Sequence, residues 1–290
     1  MTISLGKILI PLPTPFAEDY SVDYRKAAQL AKKVSEFEFT DSIVILATSG
    51  EFTSLTFDEK IELFKTVRKS VKKPIIAGTG ATTTTEALNL TKAAEDAGVD
   101  AATIVPPYYC KPTQEGIYKH FKTIAEAVKI PIMIYNVGFT GVNIEPDTIA
   151  KLSKIENIIA LKEMGNAFQV GEVVEKASKG FSVYAGSSLW VPFIIAQGGV
   201  GAVCECLIGE DTKRMIEHYL SGRIREGLEI YFKIIHYFKL YGTRANGVPL
   251  LKYAMNLAGF EVGKPRPPLT EATEQEKEIV KKTLTELKII

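Results

Sequence analysis

An eightfold alternation restricts the fold of this chain more than any other feature. Short apolar runs recur at Ile8–Pro11 and at 42–47, 74–78, 101–105, 131–135, 158–162, 181–185 and 201–204, and stretches of helical period lie between them. Most of the runs are apolar throughout rather than alternating, the pattern of parallel strands covered on both faces. Between them, Tyr24, Ala27, Ala28, Ala31 and Val34 share one helical face. So do Ala87, Leu90, Ala94 and Ala97, and then Ile117, Phe121, Ile124, Ala125 and Val128. Thr56 with Glu59 and Thr83 with Glu86 have capping-box spacing, and Gly98 stands where a left-handed helix end belongs.

Eight strand–helix repeats predict an α/β chain closed into a (β/α)8 TIM barrel. An open doubly wound sheet would usually carry a Gly-rich turn after its first strand, but here the first run leads into Pro11, Pro13 and Pro15. After Cys206 the pattern changes. Residues 211–240 read as helix broken near Ser221 and Gly222, further helices follow at 248–258 and 273–287, and the proline-rich stretch 264–268 reads as a connector. The expected organisation is a catalytic barrel over 1–222 and a C-terminal helical extension over 223–290.

Composition narrows the partners. With 35 basic and 34 acidic residues in 290, the chain lacks the electrostatic footprint of a nucleic-acid or anionic-membrane binder. No apolar run approaches bilayer length, and the opening MTISLGKILIPLPTPF does not read as a signal peptide. Three cysteines, Cys110, Cys204 and Cys206, do not make a disulfide framework in a chain this long, so a reducing cytoplasm is the expected location.

Barrel enzymes work at the C-terminal ends of their strands. The polar groups expected there are Thr48-Ser49-Gly50-Glu51, Tyr108-Tyr109, Tyr135-Asn136, Lys162-Glu163 and Gly186-Ser187-Ser188. Lys162 is the most informative, because it follows the apolar run Ile158-Ile159-Ala160-Leu161. One reading is a lysine that leaves the strand and snorkels to water. The other is an amine held in the barrel mouth, where burial disfavours the ammonium and frees a nucleophile. Tyr135 belongs to the neighbouring strand and is either a proton relay or an aromatic cap on the core. The turn at Thr48 and Ser49 offers hydroxyls and backbone N–H groups suited to a carboxylate, although turns use these residues in any case. His120, His218 and His236 fall in helical segments, and no cluster has metal-ligand spacing. Cys204 and Cys206 read as small buried hydrophobes rather than a zinc or redox pair.

At these same positions the chain resembles the dihydrodipicolinate synthase / N-acetylneuraminate lyase family of pyruvate-dependent enzymes. PLPTPF is similar to the family's opening strand, and ATSGEFTSLTFDEK to its G-T-T-G-E turn and following helix. VPPYYCKPTQEGIYKHF is similar to its PYY-x-KPTQEGL-x-HF segment, YNVGFTG to YNVP-x-R-T-G, ALKEMGN to the Schiff-base segment, and RPPL to a stretch near the end. The resemblance spans nearly the whole chain. It implies a lyase with Lys162 as the Schiff-base lysine and Tyr135 as the proton-relay tyrosine. Thr48 would link Tyr135 to a Tyr109 that enters the neighbouring subunit's site. Ser49 would hold the pyruvate carboxylate, and Val203 would contribute its carbonyl near the lysine. The implied partners are pyruvate and an aldehyde in a homotetramer built as a dimer of dimers, with no cofactor and no metal.

The departures concern the second substrate. Where dihydrodipicolinate synthases carry an arginine for the carboxylate of aspartate semialdehyde, Phe139 stands, in a stretch one residue shorter. An apolar ring does not replace a bidentate clamp. Ala47 stands in place of a glycine, Ser187 and Ser188 in place of acidic residues, and Glu205 follows the eighth run. From the sequence we therefore expect a 2-keto-3-deoxy sugar acid aldolase releasing pyruvate and an aldehyde such as glyceraldehyde, its sugar hydroxyls met by Ser187, Ser188 and Glu205. Dihydrodipicolinate synthase is the alternative. A catalytically silent barrel that binds a 2-oxo acid is a third reading, opposed by the intact Lys162, Tyr135 and Thr48.

Overall fold

A computed structural model of the chain describes residues 3–240 and 246–290; what the sequence predicts for 1–2 and 241–245 lies outside the described residues. Eight parallel strands close into a barrel in sequence order: β1 Ile8–Pro11, β2 Ser42–Ile45, β3 Ile75–Gly78, β4 Ala101–Ile104, β5 Ile132–Val137, β6 Ile158–Met164, β7 Ser182–Ala185 and β8 Gly201–Val203. The helices α1 Tyr24–Ser35, α2 Phe57–Ser70, α3 Thr84–Asp96, α4 Gln114–Ala125, α5 Pro146–Leu152, α6 Val170–Lys176, α7 Val191–Ala196 and α8 Gly209–Leu220 follow the strands in turn. Then come α9 Ile224–Lys239, α10 Val248–Leu257 and α11 Glu274–Glu286.

Strand residues split between two cores by the period-two rule. Leu9, Val44, Ile76, Ala101, Met133, Ala160, Tyr184 and Val203 fill the barrel interior. Ile8, Ile43, Ile75, Ile132, Leu161 and Val183 pack outward under the helices. Side-chain hydroxyls or carboxylates start several helices. Asp23 caps α1, Thr83 caps α3 and Thr113 caps α4, each accepting from a backbone N–H inside the first turn. Thr56–Glu59 is a complete capping box, whereas at Thr83 only the threonine half is formed. Each such cap is worth about 1 kcal/mol.

Two strand boundaries depart from expectation, and both bear on function. β2 ends at Ile45 rather than at residue 47, because Leu46 takes φ +56 and turns the chain out of the sheet. β6 carries an extra residue near its start, where Ile132 pairs with Ile158 but Met133 with Ala160. That irregularity sets the register. Tyr135 pairs with Lys162, and paired residues face the same side. In an unbroken ladder the partner of Tyr135 would be Leu161, and Lys162 would point away from the interior.

Helices α9 and α10 and the connector that follows them reach back to the barrel mouth. The Lys252 amine of α10 lies 2.6 Å from a carboxylate oxygen of Glu51, which follows the β2 turn, and both side chains are buried. Arg266 donates its backbone N–H to Glu51 and its guanidinium to Glu59 and to the carbonyls of Tyr20 and Ser54. The connector at 264–268 is therefore tied to the β2–α2 segment.

Candidate active site

At the C-terminal ends of the strands is a cavity of 320 Å³. Its floor and near wall are made by Thr48, Ser49, Tyr135, Lys162 and Val203, and its outer wall by Trp190, Phe238, Leu251 and Met255. Lys162 is 5% exposed, which rules out the snorkelling reading. Its Nζ sits 3.8 Å from the centroid of the Tyr135 ring. The other strand neighbour of Lys162, Tyr184, spends its hydroxyl on the Gly6 carbonyl at 2.8 Å, leaving Tyr135 as the phenol beside the amine. The Tyr135 hydroxyl meets Met164 Sδ at 3.8 Å.

The Thr48–Gly50 turn is a single 3-10 turn. It is pinned by the Thr14 hydroxyl, which donates to the Gly50 carbonyl at 2.7 Å. Ser49 Oγ is buried without a hydrogen-bond partner in the chain. A buried unpaired hydroxyl costs about 1–3 kcal/mol, which a ligand acceptor at this point would recover. Tyr109 does not join this group. It is 93% exposed and holds φ +72, a region a non-glycine residue occupies at a cost. No hydrogen bond joins Thr48 to Tyr135 within the chain, so the linkage from Tyr135 through Thr48 to Tyr109 is not closed inside one subunit.

Sequence reasoning missed what holds Lys162 in place. The next residue, Glu163, is fully buried on the opposite face of β6. It accepts from Asn136 Nδ2 at 3.0 Å, Gln169 Nε2 at 3.0 Å, Gly165 N at 2.6 Å and Asn166 N at 2.8 Å. Asn143 closes the network by accepting from Asn136 and donating to Gln169, both at 2.8 Å. Burial raises the pKa of Glu163 against the pull of these donors. The network anchors the ends of β5 and β6, on which Tyr135 and Lys162 sit. Gly186 completes the packing, since a Cβ there would come 2.5 Å from Met164 Cβ.

Ser188 corrects the sequence expectation. Its hydroxyl is fully buried behind the cavity, 2.7 Å from Thr212 Oγ1 and 3.2 Å from Glu205 Oε2, and it is not available to a sugar hydroxyl. Ser187 lines the cavity, and its Oγ donates to Glu205 Oε1 at 3.3 Å. Phe139 is 68% exposed at the cavity edge. Among the described residues that line the cavity there is no arginine.

A model of the dihydrodipicolinate synthetase family matches residues 4–287. The chain belongs to that family. Dihydrodipicolinate synthetase relatives named 4-hydroxy-tetrahydrodipicolinate synthase are 42% identical in Acetivibrio thermocellus, covering 97% of both chains, and 39% identical in Acaryochloris marina, covering 98% of this chain and 99% of that one. A solved dihydrodipicolinate synthase from Cyanidioschyzon merolae, crystallised with lysine bound, superposes with TM-score 0.94 at 35% identity over 99% of both chains. One from Acinetobacter baumannii complexed with pyruvate superposes with TM-score 0.91 at 32% identity, over 99% of this chain and 100% of that one. As a dihydrodipicolinate synthetase family member the chain is a pyruvate-dependent aldolase of the lyase class. Among the described residues no helix is long and apolar enough to cross a membrane, and no group of acidic, histidine or cysteine side chains is arranged to hold a metal.

Proposed function

We propose that the chain condenses pyruvate, held as an imine on Lys162, with aspartate semialdehyde, as the name of its relatives describes. The observation that carries the imine is the buried Lys162 amine over the Tyr135 ring, in a cavity that also holds the unpartnered Ser49 hydroxyl. The amine adds to the ketone carbon, and loss of water gives the iminium. Loss of a methyl proton then gives the enamine, whose carbon attacks the aldehyde. Tyr135 stands beside the nitrogen to pass these protons. Ser49 and the backbone of its turn take the pyruvate carboxylate, and Val203, which lines the same cavity, offers its carbonyl near the lysine.

Tyr109 fits a role outside its own subunit. An exposed aromatic held at positive φ is explained when it enters the cavity of a second copy and meets Thr48 there, in a homotetramer. The free cysteines fit a cytoplasmic enzyme.

Cleavage of a 2-keto-3-deoxy sugar acid is the second reading. Phe139, and the lack of a guanidinium among the described cavity residues, favour it; the engagement of Ser188 behind the wall counts against it. The deciding assay compares pyruvate consumption with aspartate semialdehyde against pyruvate release from keto-deoxy sugar acids. The first reading predicts the condensation to be faster by at least tenfold in kcat/KM; the reverse order would replace it with the second.

A further inference from the structure

Glu205 is a carboxylate that the imine chemistry does not use. Among the described residues lining the cavity, Lys162 is the only cation and Glu205 the only acid. Glu205 is held from behind by hydroxyls. Ser187 donates to Oε1 at 3.3 Å, and its own oxygen accepts from Leu189 N at 3.3 Å, so its proton is committed to the carboxylate. Ser188 lies 3.2 Å from Oε2 and 2.7 Å from Thr212 Oγ1. Thr212 donates its proton to the Ile208 carbonyl at 2.8 Å, so Ser188 shares its own between Thr212 and Oε2, and the hydroxyls on this side leave the carboxylate able to accept from a ligand in the cavity. Burial raises the Glu205 pKa and the charge of Lys162 pulls it down, so the two groups feel each other across the cavity.

The balance changes during turnover. Once the iminium on Lys162 has lost a methyl proton, the enamine nitrogen is neutral. The cavity then holds two anions, Glu205 and the pyruvate carboxylate at the Ser49 turn, and among the described lining residues no cation is left to balance them. An unpaired buried charge is costly, so the second substrate binds best when it brings the missing donor.

We propose that Glu205 is the specificity-determining residue for the second substrate, selecting an aldehyde that carries an ammonium or hydroxyl group one or two carbons from its carbonyl. The assignment rests on the reading that Lys162 forms the pyruvate imine, and it holds for either aldehyde considered above. The test measures kcat/KM for two matched pairs, aspartate semialdehyde against succinic semialdehyde and glyceraldehyde against propanal. The wild type prefers the donor-bearing member of at least one pair by about tenfold or more, the scale of discrimination by a site built to pair a polar group. Glu205→Gln, which keeps the shape, brings that ratio toward one through KM for the aldehyde, and Glu205→Asp, which keeps the charge, retains most of it. An unchanged ratio in Glu205→Gln, with borohydride still fixing pyruvate to Lys162, overturns the role of Glu205 and leaves the aldolase reading standing. Failure of borohydride to fix pyruvate in the wild type overturns the aldolase reading and the selection that rests on it.

Discussion

The role proposed for Lys162 rests on a side chain that the barrel keeps out of water and next to a phenol. Lys162→Ala is expected to lower turnover by at least about a thousandfold, as removal of a covalent nucleophile does in other enzymes, while the circular dichroism spectrum stays that of the wild type. Tyr135→Phe keeps the ring under Nζ and removes only the hydroxyl. It should lower kcat by about 10²–10⁴-fold, the range for lost acid–base catalysis, and a kcat within twofold of wild type would remove the phenol from proton transfer. From the sequence alone Lys162 stands between a snorkelling and a buried amine, and Tyr135 between a relay and a cap on the core; the family resemblance supplies the chemical reading, and the structure adds that the amine is buried over the ring. The place of Ser188 was not legible: a serine in a Gly-Ser-Ser turn gives no sign that its hydroxyl is spent on Thr212 behind the wall.

At the scale of elements, the eight strands and the helices between them followed from apolar period and caps, to within a few residues at their ends. The extra residue in β6 did not, because a continuous apolar run carries no phase, yet that residue puts Lys162 rather than Leu161 opposite Tyr135. The buried pair of Lys252 and Glu51 was also invisible, since it joins α10 to the β2 turn across most of the sequence. Burial draws the Lys252 amine down to about 8, against the pull of Glu51. Lys252→Met should destabilise the chain by about 3–5 kcal/mol in urea unfolding, because it strands a buried carboxylate. Adding Glu51→Gln, which still accepts from Arg266 N, should recover much of that loss; strict additivity of the two changes would show that they do not act as a pair.

For the whole molecule, acid sensitivity has an identifiable contributor in His120. The imidazole is buried in α4 against Phe121 and Thr84, and burial lowers its pKa to about 4 from 6.5. The folded state therefore binds fewer protons than the unfolded state between those values. The contribution of His120 is complete above 6.5 and is lost as pH falls toward 4, worth about 3 kcal/mol at most. His120→Gln should flatten the stability profile in that window, measured by urea midpoints from pH 7 to 4; a profile as steep as wild type would assign the sensitivity elsewhere.

The barrel, its register, the Glu163 network and the β2 turn all bear on the one covalent event proposed for Lys162. It is tested most directly by borohydride reduction with pyruvate present, followed by mass analysis of the digested protein. A single reduced pyruvyl group on the peptide containing Lys162, absent from Lys162→Ala, is the predicted result. Turnover of pyruvate with no adduct, or with the adduct on another lysine, would contradict it.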